Sequence, residues 1–236
     1  MRYKFVHTKN VKRLFAALAE LKDRCRAVAG LGVLLGNTGA GKSTALKAAI
    51  AMFDAIFIRV NATVSLPSLL SAICYELGFE APRSPSQKLE EIIARLREKP
   101  YPLFIDEADY LTRDGRMLEV LRDIHDITGV PVMLIGMEAF ERKLERHPQF
   151  ARRVTQRVEF KPCDLADATQ VAKELCEVEV APDLIKKMHT RTKGSVGLIA
   201  VALDAFEALA RDNNWKAVSA EQWGNRPMFL GDKAEA

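Results

Sequence analysis

Apolar residues recur along this chain in two textures: short uninterrupted runs, and longer stretches with apolar positions three and four apart. The first stretch of helical spacing covers residues 9–29, where Val11, Leu14, Phe15, Leu18, Leu21 and Val28 fall largely on one face and Thr8 can cap the start. The runs LGVLL (31–35), AIFIRV (55–60), YPLFID (101–106), VPVMLIG (130–136) and TQRVEF (155–160) read as strands buried on both faces. Helical spacing returns over 44–53, 66–78, 87–99, 114–127 and 138–146. Gly78 ends one helix, and APRSPS (81–86) breaks the pattern and offers Ser84 or Ser86 as the next cap. Strands alternating with helices predict right-handed crossovers, hence an α/β fold on a five-stranded parallel sheet. Past Pro162 the strands are expected to stop. Residues 165–178, 182–192 and 196–212 read as three helices, with a fourth over 219–224. The predicted organisation is an α/β domain with an N-terminal helix over 1–162, a small helical lid over 163–224, and a flexible tail over 225–236.

Within this pattern, residues 36–44 read GNTGAGKST, which matches the phosphate-binding loop G-x-x-x-x-G-K-[ST]. Gly36, Gly39 and Gly41 permit backbone turns that let successive N–H groups converge on phosphate oxygens. Asn37, Thr38, Ala40 and Thr44 complete the loop, Lys42 is placed to reach the β- and γ-phosphates of ATP, and Ser43 supplies a hydroxyl for Mg²⁺. The flanking run and helical pattern give the strand, loop and helix that this chemistry needs. The segment LFIDEADYL supplies a second half-site. Asp106, at the end of an apolar run, is a candidate Mg²⁺ ligand, and Glu107 is the candidate for polarising an attacking water. The plain alternative is that Asp106, Glu107 and Asp109 form a strand-end turn. Charge on a transferring phosphoryl group also calls for a cation, often from a neighbouring subunit. Arg152 and Arg153 are the candidates, with Arg157 next, against the reading that all three are ordinary surface arginines.

Bulk composition narrows the classes. With 236 residues, 48% of them hydrophobic, the chain can bury a full core. No apolar run nears the roughly 18 residues of a membrane span, and the basic start MRYKFVHTKNVKR lacks the apolar stretch of a signal peptide. Cys25, Cys74, Cys163 and Cys176 lack C-x-x-C spacing, which suits free thiols in a reducing cytoplasm and no metal beyond Mg²⁺. The net charge of +4 is unevenly spread. The first 13 residues carry five Lys or Arg and no acid; further basic zones run from Arg142 to Lys161 and over Lys186, Lys187, Arg191 and Lys193. Any one cluster can be a solvated face, but three on a nucleotide-binding chain point toward a polyanionic partner.

The α/β core, the loop at 36–44, the pair Asp106-Glu107 and the helical lid together resemble the AAA+ ATPases, a class of P-loop NTPases. The opening FVHTKNVKRLF, the block IDEADYLTRDGRMLEVLRDIHDITGVPVMLIGMEAF (105–140) and RRVTQRVEFKP narrow this further. They resemble the B transposition proteins of Mu-like phages and related transposon target-selection ATPases, from about Phe5 to Leu209. The chain is short for the Mu-type protein and leaves no room for a separate N-terminal DNA-binding domain. The resemblance implies an ATP-dependent, sequence-nonspecific binder of double-stranded DNA in a bacterial or phage-infected cytoplasm. It would form a homo-oligomer or helical filament, and deliver target DNA to a transposase or activate it, with no membrane partner. Lys42 and Ser43 would then bind nucleotide and metal, Asp106 and Glu107 support hydrolysis, and Arg152 or Arg153 complete a neighbour's site. Lys9, Lys12 and Arg13, or Lys186 and Lys187, would line the DNA groove. Two positions depart from the AAA+ pattern: Met137 stands where a polar sensor follows the fourth strand, and Gly197 where a G-x-x-R sensor places arginine, with Lys193 nearby. Both suit a slow, partner- or DNA-stimulated ATPase. The alternatives are a helicase loader and a nucleotide-locked DNA-binding scaffold with negligible hydrolysis.

Overall fold

The computed structural model describes residues 1–25 and 27–232. In chain order the elements are α1 (Lys9–Asp23), β1 (Leu31–Gly36), α2 (Lys42–Phe53), β2 (Ile56–Arg59), α3 (Leu66–Glu76), α4 (Pro85–Glu98) and β3 (Leu103–Asp106). A 3₁₀ helix (Ala108–Arg113) follows, then α5 (Gly115–Thr128), β4 (Val132–Gly136), α6 (Phe140–Leu144), α7 (Pro148–Ala151) and β5 (Val154–Phe160). The remainder comprises α8 (Leu165–Leu175), β6 (Glu179–Val180), α9 (Pro182–Thr192), α10 (Val196–Asp212), β7 (Ala217–Val218) and α11 (Ala220–Trp223). These elements divide into two compact units. One takes Arg13–Asn37 and Ala45–Glu159; the other takes Met1–Lys12, Thr38–Thr44 and Phe160–Ala236.

The α/β unit is built on a five-stranded sheet in the order β2-β3-β4-β1-β5. β1 pairs with β4, β4 with β3, and β3 with β2, all parallel, with Leu31 and Leu103 both opposite Val132. Every residue of β1, β3 and β4 is buried, as near-continuous apolar strands covered on both faces require. Val33, Ile105 and Leu134, one aliphatic side chain from each of these strands, share a single core with Leu69 and Ile73 of α3 and Leu118 and Leu121 of α5. Each such fully buried aliphatic side chain contributes about 1.5–3 kcal/mol.

Local chemistry sets the ends of the helices. Ser65 accepts from Ser68 N while the Ser68 hydroxyl accepts from Ser65 N, a reciprocal cap for α3. Ser84, one of the two candidate caps, occupies the N-cap position of α4 without accepting from a helix N–H; its hydroxyl shares a hydrogen bond with that of Ser86 at 2.7 Å. Asp114 Oδ1 accepts from Arg116 N to start α5, and Gly129, at φ 75°, ends it. Two expectations need correcting. The first helix stops at Asp23 rather than 29, and Val28 is 49% exposed instead of joining the apolar face. There the Arg24 guanidinium donates to the carbonyls of Leu21, Val28 and Gly129, taking up backbone acceptors at the helix end. The helix expected over 138–146 is shorter, and a second one, α7, begins at Pro148; the residue before a proline is biased away from helical geometry.

The helical unit packs α8 to α11 around Val171, Leu184, Met188, Leu203 and Phe206, with the rings of Phe206 and Trp223 edge to face at 4.6 Å. Strands do not stop at Pro162, contrary to the sequence pattern: β6 and β7 pair in parallel, with Val180 opposite Val218. Two residues apiece are too few to show a period in sequence. Residues 225–232, part of the expected tail, are held in place. Met228 is 1% exposed, and Asp232 accepts from Met228 N at 2.8 Å and pairs with Arg191 at 3.1 Å. Residues 233–236 of that tail lie outside the described residues.

Candidate nucleotide site

The phosphate loop leaves β1 at Gly36, and its residues 38–44 belong to the helical unit. Gly39 and Gly41 adopt φ of 82° and 88°, in the left-handed region that glycine enters without steric cost. The Gly39 carbonyl accepts from Gly197 N at 3.2 Å and from Ser195 Oγ at 3.5 Å. A Cβ at Gly39 would stand 2.7 Å from Ser195 Oγ, so the loop backbone lies directly against the Ser195 side chain at the start of α10. Among the described residues, the N–H groups of Thr38, Gly39, Ala40 and Gly41 donate to no protein acceptor. Such a row of disengaged donors, followed at once by the N-terminus of the 12-residue α2, fits a phosphate chain. Lys42 is half-buried at the helix start, and Ser43 and Thr44 are exposed.

Gly36 and Asp106 end β1 and β3, parallel strands separated only by β4, so both lie at the C-terminal edge of the sheet. Asp106 is 9% exposed, and its Oδ1 accepts from Glu107 N at 3.0 Å. Glu107 has φ 58°, left-handed geometry costing a non-glycine residue about 1–3 kcal/mol. It caps the 3₁₀ helix with that geometry, and its side chain meets a cation. Arg59, last residue of β2 and opposite Asp106 in register, donates from Nη2 to Glu107 Oε1 at 3.1 Å and has Nε 3.8 Å from Asp106 Oδ2. Sequence reasoning missed Arg59; its only signal is a charge closing the apolar run AIFIRV.

Asp109 is more than a turn residue. Its Oδ2 accepts from Met137 N at 2.9 Å and its Oδ1 from Lys143 Nζ at 3.0 Å, joining the end of β4 to the 3₁₀ helix. A Cβ at Gly136 would fall 2.8 Å from Asp109 Oδ2, so the close approach needs glycine. Asn37 donates to Glu138 Oε1 at 2.7 Å on the same sheet edge.

The candidate arginines separate cleanly. Arg153 pairs with Asp126 at 3.0 Å and Arg157 with Glu141, whereas Arg152 is exposed and has no carboxylate partner among the described residues. The candidate DNA-contacting cations separate in the same way. Lys9 is bound to Asp164, and Lys187 Nζ donates to Gly224 O at 3.1 Å. Lys12, Arg13 and Lys186 are exposed, with no carboxylate partner among the described residues. Thr38 to Thr44 share the helical unit with Lys9, Lys12, Lys186 and Lys187; Gly36, Asn37, Arg13, Asp106, Glu107, Arg152 and Arg153 lie in the α/β unit.

Among the described residues, no group of three or more His, Cys, Asp or Glu could hold a metal by itself, and no helix is long and apolar enough to cross a membrane. All four cysteines are free; burial pushes the Cys163 and Cys176 thiols up to about 11, which suits packing and not nucleophilic attack.

A family model described as an AAA domain matches residues 25–144, just over half of the chain. No curated protein is significantly similar in sequence. Among solved structures, the ORC2 protein of Aeropyrum pernix in its ADP form superposes with a TM-score of 0.66 at 17% identity, over 93% of this chain and 67% of that one. The ORC1 protein of Aeropyrum pernix in complex with DNA gives 0.60 at 20% identity, over 94% and 64%. The RuvB Holliday junction branch migration motor of Thermotoga maritima gives 0.60 at 16% identity, over 92% and 67%. At these identities the likeness shows a shared fold. The chain spans about two thirds of the length of the structures it matches.

Proposed function

The chain belongs to the AAA domain family, and from that premise we propose a slow, ATP-dependent regulator that assembles on duplex DNA without sequence preference and presents it to a transposase. The observation that carries the nucleotide half of this reading is the loop itself, with left-handed Gly39 and Gly41 and N–H groups at 38–41 that meet no protein acceptor among the described residues. The DNA half draws on the exposed Lys12, Arg13 and Lys186, which have no carboxylate partner among the described residues, and on the DNA complex of one structural neighbour. The transposase rests on the Mu-like sequence blocks.

In this mechanism the loop N–H groups and the Lys42 ammonium neutralise the phosphate chain of ATP. Ser43 and Asp106 would hold Mg²⁺, whose charge, when bound, helps disperse that of the transferring phosphoryl group. Glu107 takes the proton of the attacking water. Arg59 Nη2 occupies its Oε1, so a water must displace that guanidinium or use the other oxygen, and hydrolysis is expected to wait on a change at that ion pair. Arg152, with no carboxylate partner among the described residues, reaches a neighbouring copy and stabilises the charge developing there. Neither Met137 nor Gly197 presents a polar side chain toward such a phosphate, so unstimulated turnover is expected below about 1 s⁻¹.

Electron microscopy with duplex DNA tests the reading. Ordered arrays with a non-hydrolysable ATP analogue, and none with Lys42→Ala or without nucleotide, are expected. Protein that stays monomeric and ignores DNA at saturating analogue refutes it. Pull-down against transposase and replicative helicase separates a target selector from a loader.

A further inference from the structure

On the α/β unit a cleft of about 360 Å³ is lined by the 3₁₀ helix, α6 and the segment joining α6 to α7. Its walls present Arg113, Lys143, Arg146 and His147 against one acid, Asp109. Both Asp109 oxygens already accept hydrogen bonds, from Met137 N and from Lys143. The other two permanent cations meet only neutral groups. Arg113 donates to Ala62 O at 3.0 Å and lies 4.8 Å from the Tyr110 ring centre, and Arg146 is exposed with no side-chain partner among the described residues. The His147 ring lies against the start of α5, where a Cβ at Gly115 would come within 3.0 Å of it. Three permanent cations against one engaged carboxylate leave a concave positive field that an anion would offset. A cavity of this size admits a phosphate group and its waters but not a base pair, so it would read backbone and not sequence.

We infer that this cleft grips a phosphate of duplex DNA, with Arg146 and Arg113 as its principal donors. The inference rests on the DNA-binding reading above and adds to its exposed helix-surface cations a formed cavity beside the acid pair, since the 3₁₀ helix carrying Asp109 and Arg113 starts directly after Glu107.

The test is fluorescence anisotropy with a labelled duplex of mixed sequence, at saturating non-hydrolysable ATP analogue, between about 50 and 200 mM salt. Wild type is compared with Arg146→Ala, Arg146→Lys, the double change Arg146→Ala with Arg113→Gln, and the pair Lys12→Ala with Lys186→Ala. Circular dichroism checks each fold, and Arg146→Ala, which removes an exposed side chain, carries the test if the double variant misfolds. Each lost phosphate contact is expected to flatten the plot of log K against log salt by about 0.9, equally for all sequences, while Arg146→Lys keeps the slope. The double variant is expected to bind roughly tenfold more weakly at the higher salt. A wild-type slope in both Arg146→Ala and the double variant, or loss confined to the Lys12 and Lys186 pair, overturns the cleft. Failure of wild type to bind duplex at all overturns the earlier reading instead.

Discussion

Three single residues carry consequences that can be measured. His125 is 5% exposed; its Nε2 accepts from Gly30 N at 2.9 Å and its Nδ1 faces Val130 O at 2.7 Å, which only the neutral ring protonated on Nδ1 can satisfy. Burial, the largest cause, holds its pKa below the ordinary 6.5. The unfolded chain therefore takes up this proton first as pH falls. The stability His125 contributes is present above about 6.5 and is lost as pH falls toward its lower folded value. Thermal midpoints measured from about pH 8 to pH 5 should fall in wild type, and fall less over that window in His125→Asn. At the acid pair, Glu107→Gln should cut DNA-stimulated phosphate release by about 10²–10⁴-fold with nucleotide binding retained, and Arg59→Ala should raise the unstimulated rate. A fall in Arg59→Ala would mean that the guanidinium assists hydrolysis. The loop and the acid pair are legible in sequence because each motif is local. Arg59 is not, because a charge at a strand end does not announce which neighbouring strand it will lie beside.

Among elements, the central strands are the most readable, since burial on both faces demands unbroken apolar runs. Leu134 in β4 sits in that core at full burial, and Leu134→Ala is expected to cost about 2–5 kcal/mol in urea unfolding. What escapes the sequence are features decided by tertiary contact. The early end of α1 depends on Arg24 reaching Gly129, far away in sequence. β6 and β7 exist because Val180 and Val218 are both buried in the helical core, which no two-residue segment can signal. Asp109 reads as part of a turn, and only the fold brings Met137 N and Lys143 onto its two oxygens.

For the whole molecule, the decisive question is whether one copy completes another. Arg152 stands apart from Arg153 and Arg157 in having no carboxylate partner among the described residues, a distinction invisible in the string RRVTQR. If Arg152 serves a neighbour, Lys42→Ala and Arg152→Ala proteins, each nearly inactive alone, should recover part of the phosphate release when mixed. No recovery at any ratio would place Arg152 outside the shared site. Charge spread along the chain marks where cations cluster, but not which of them are already neutralised, as Lys9 is by Asp164.

The clasp between Gly39 and the first residues of α10 has a mechanical corollary. The turn that would cradle triphosphate hangs from Ser195 and Gly197 by a single carbonyl oxygen. If triphosphate fills that cradle, a shift of the loop would be passed to the start of the 17-residue α10 through this oxygen. A side chain introduced at Gly39, where a Cβ would stand 2.7 Å from Ser195 Oγ, would prise the two apart, whereas at Gly197 a Cβ would meet Gly39 only at 3.7 Å.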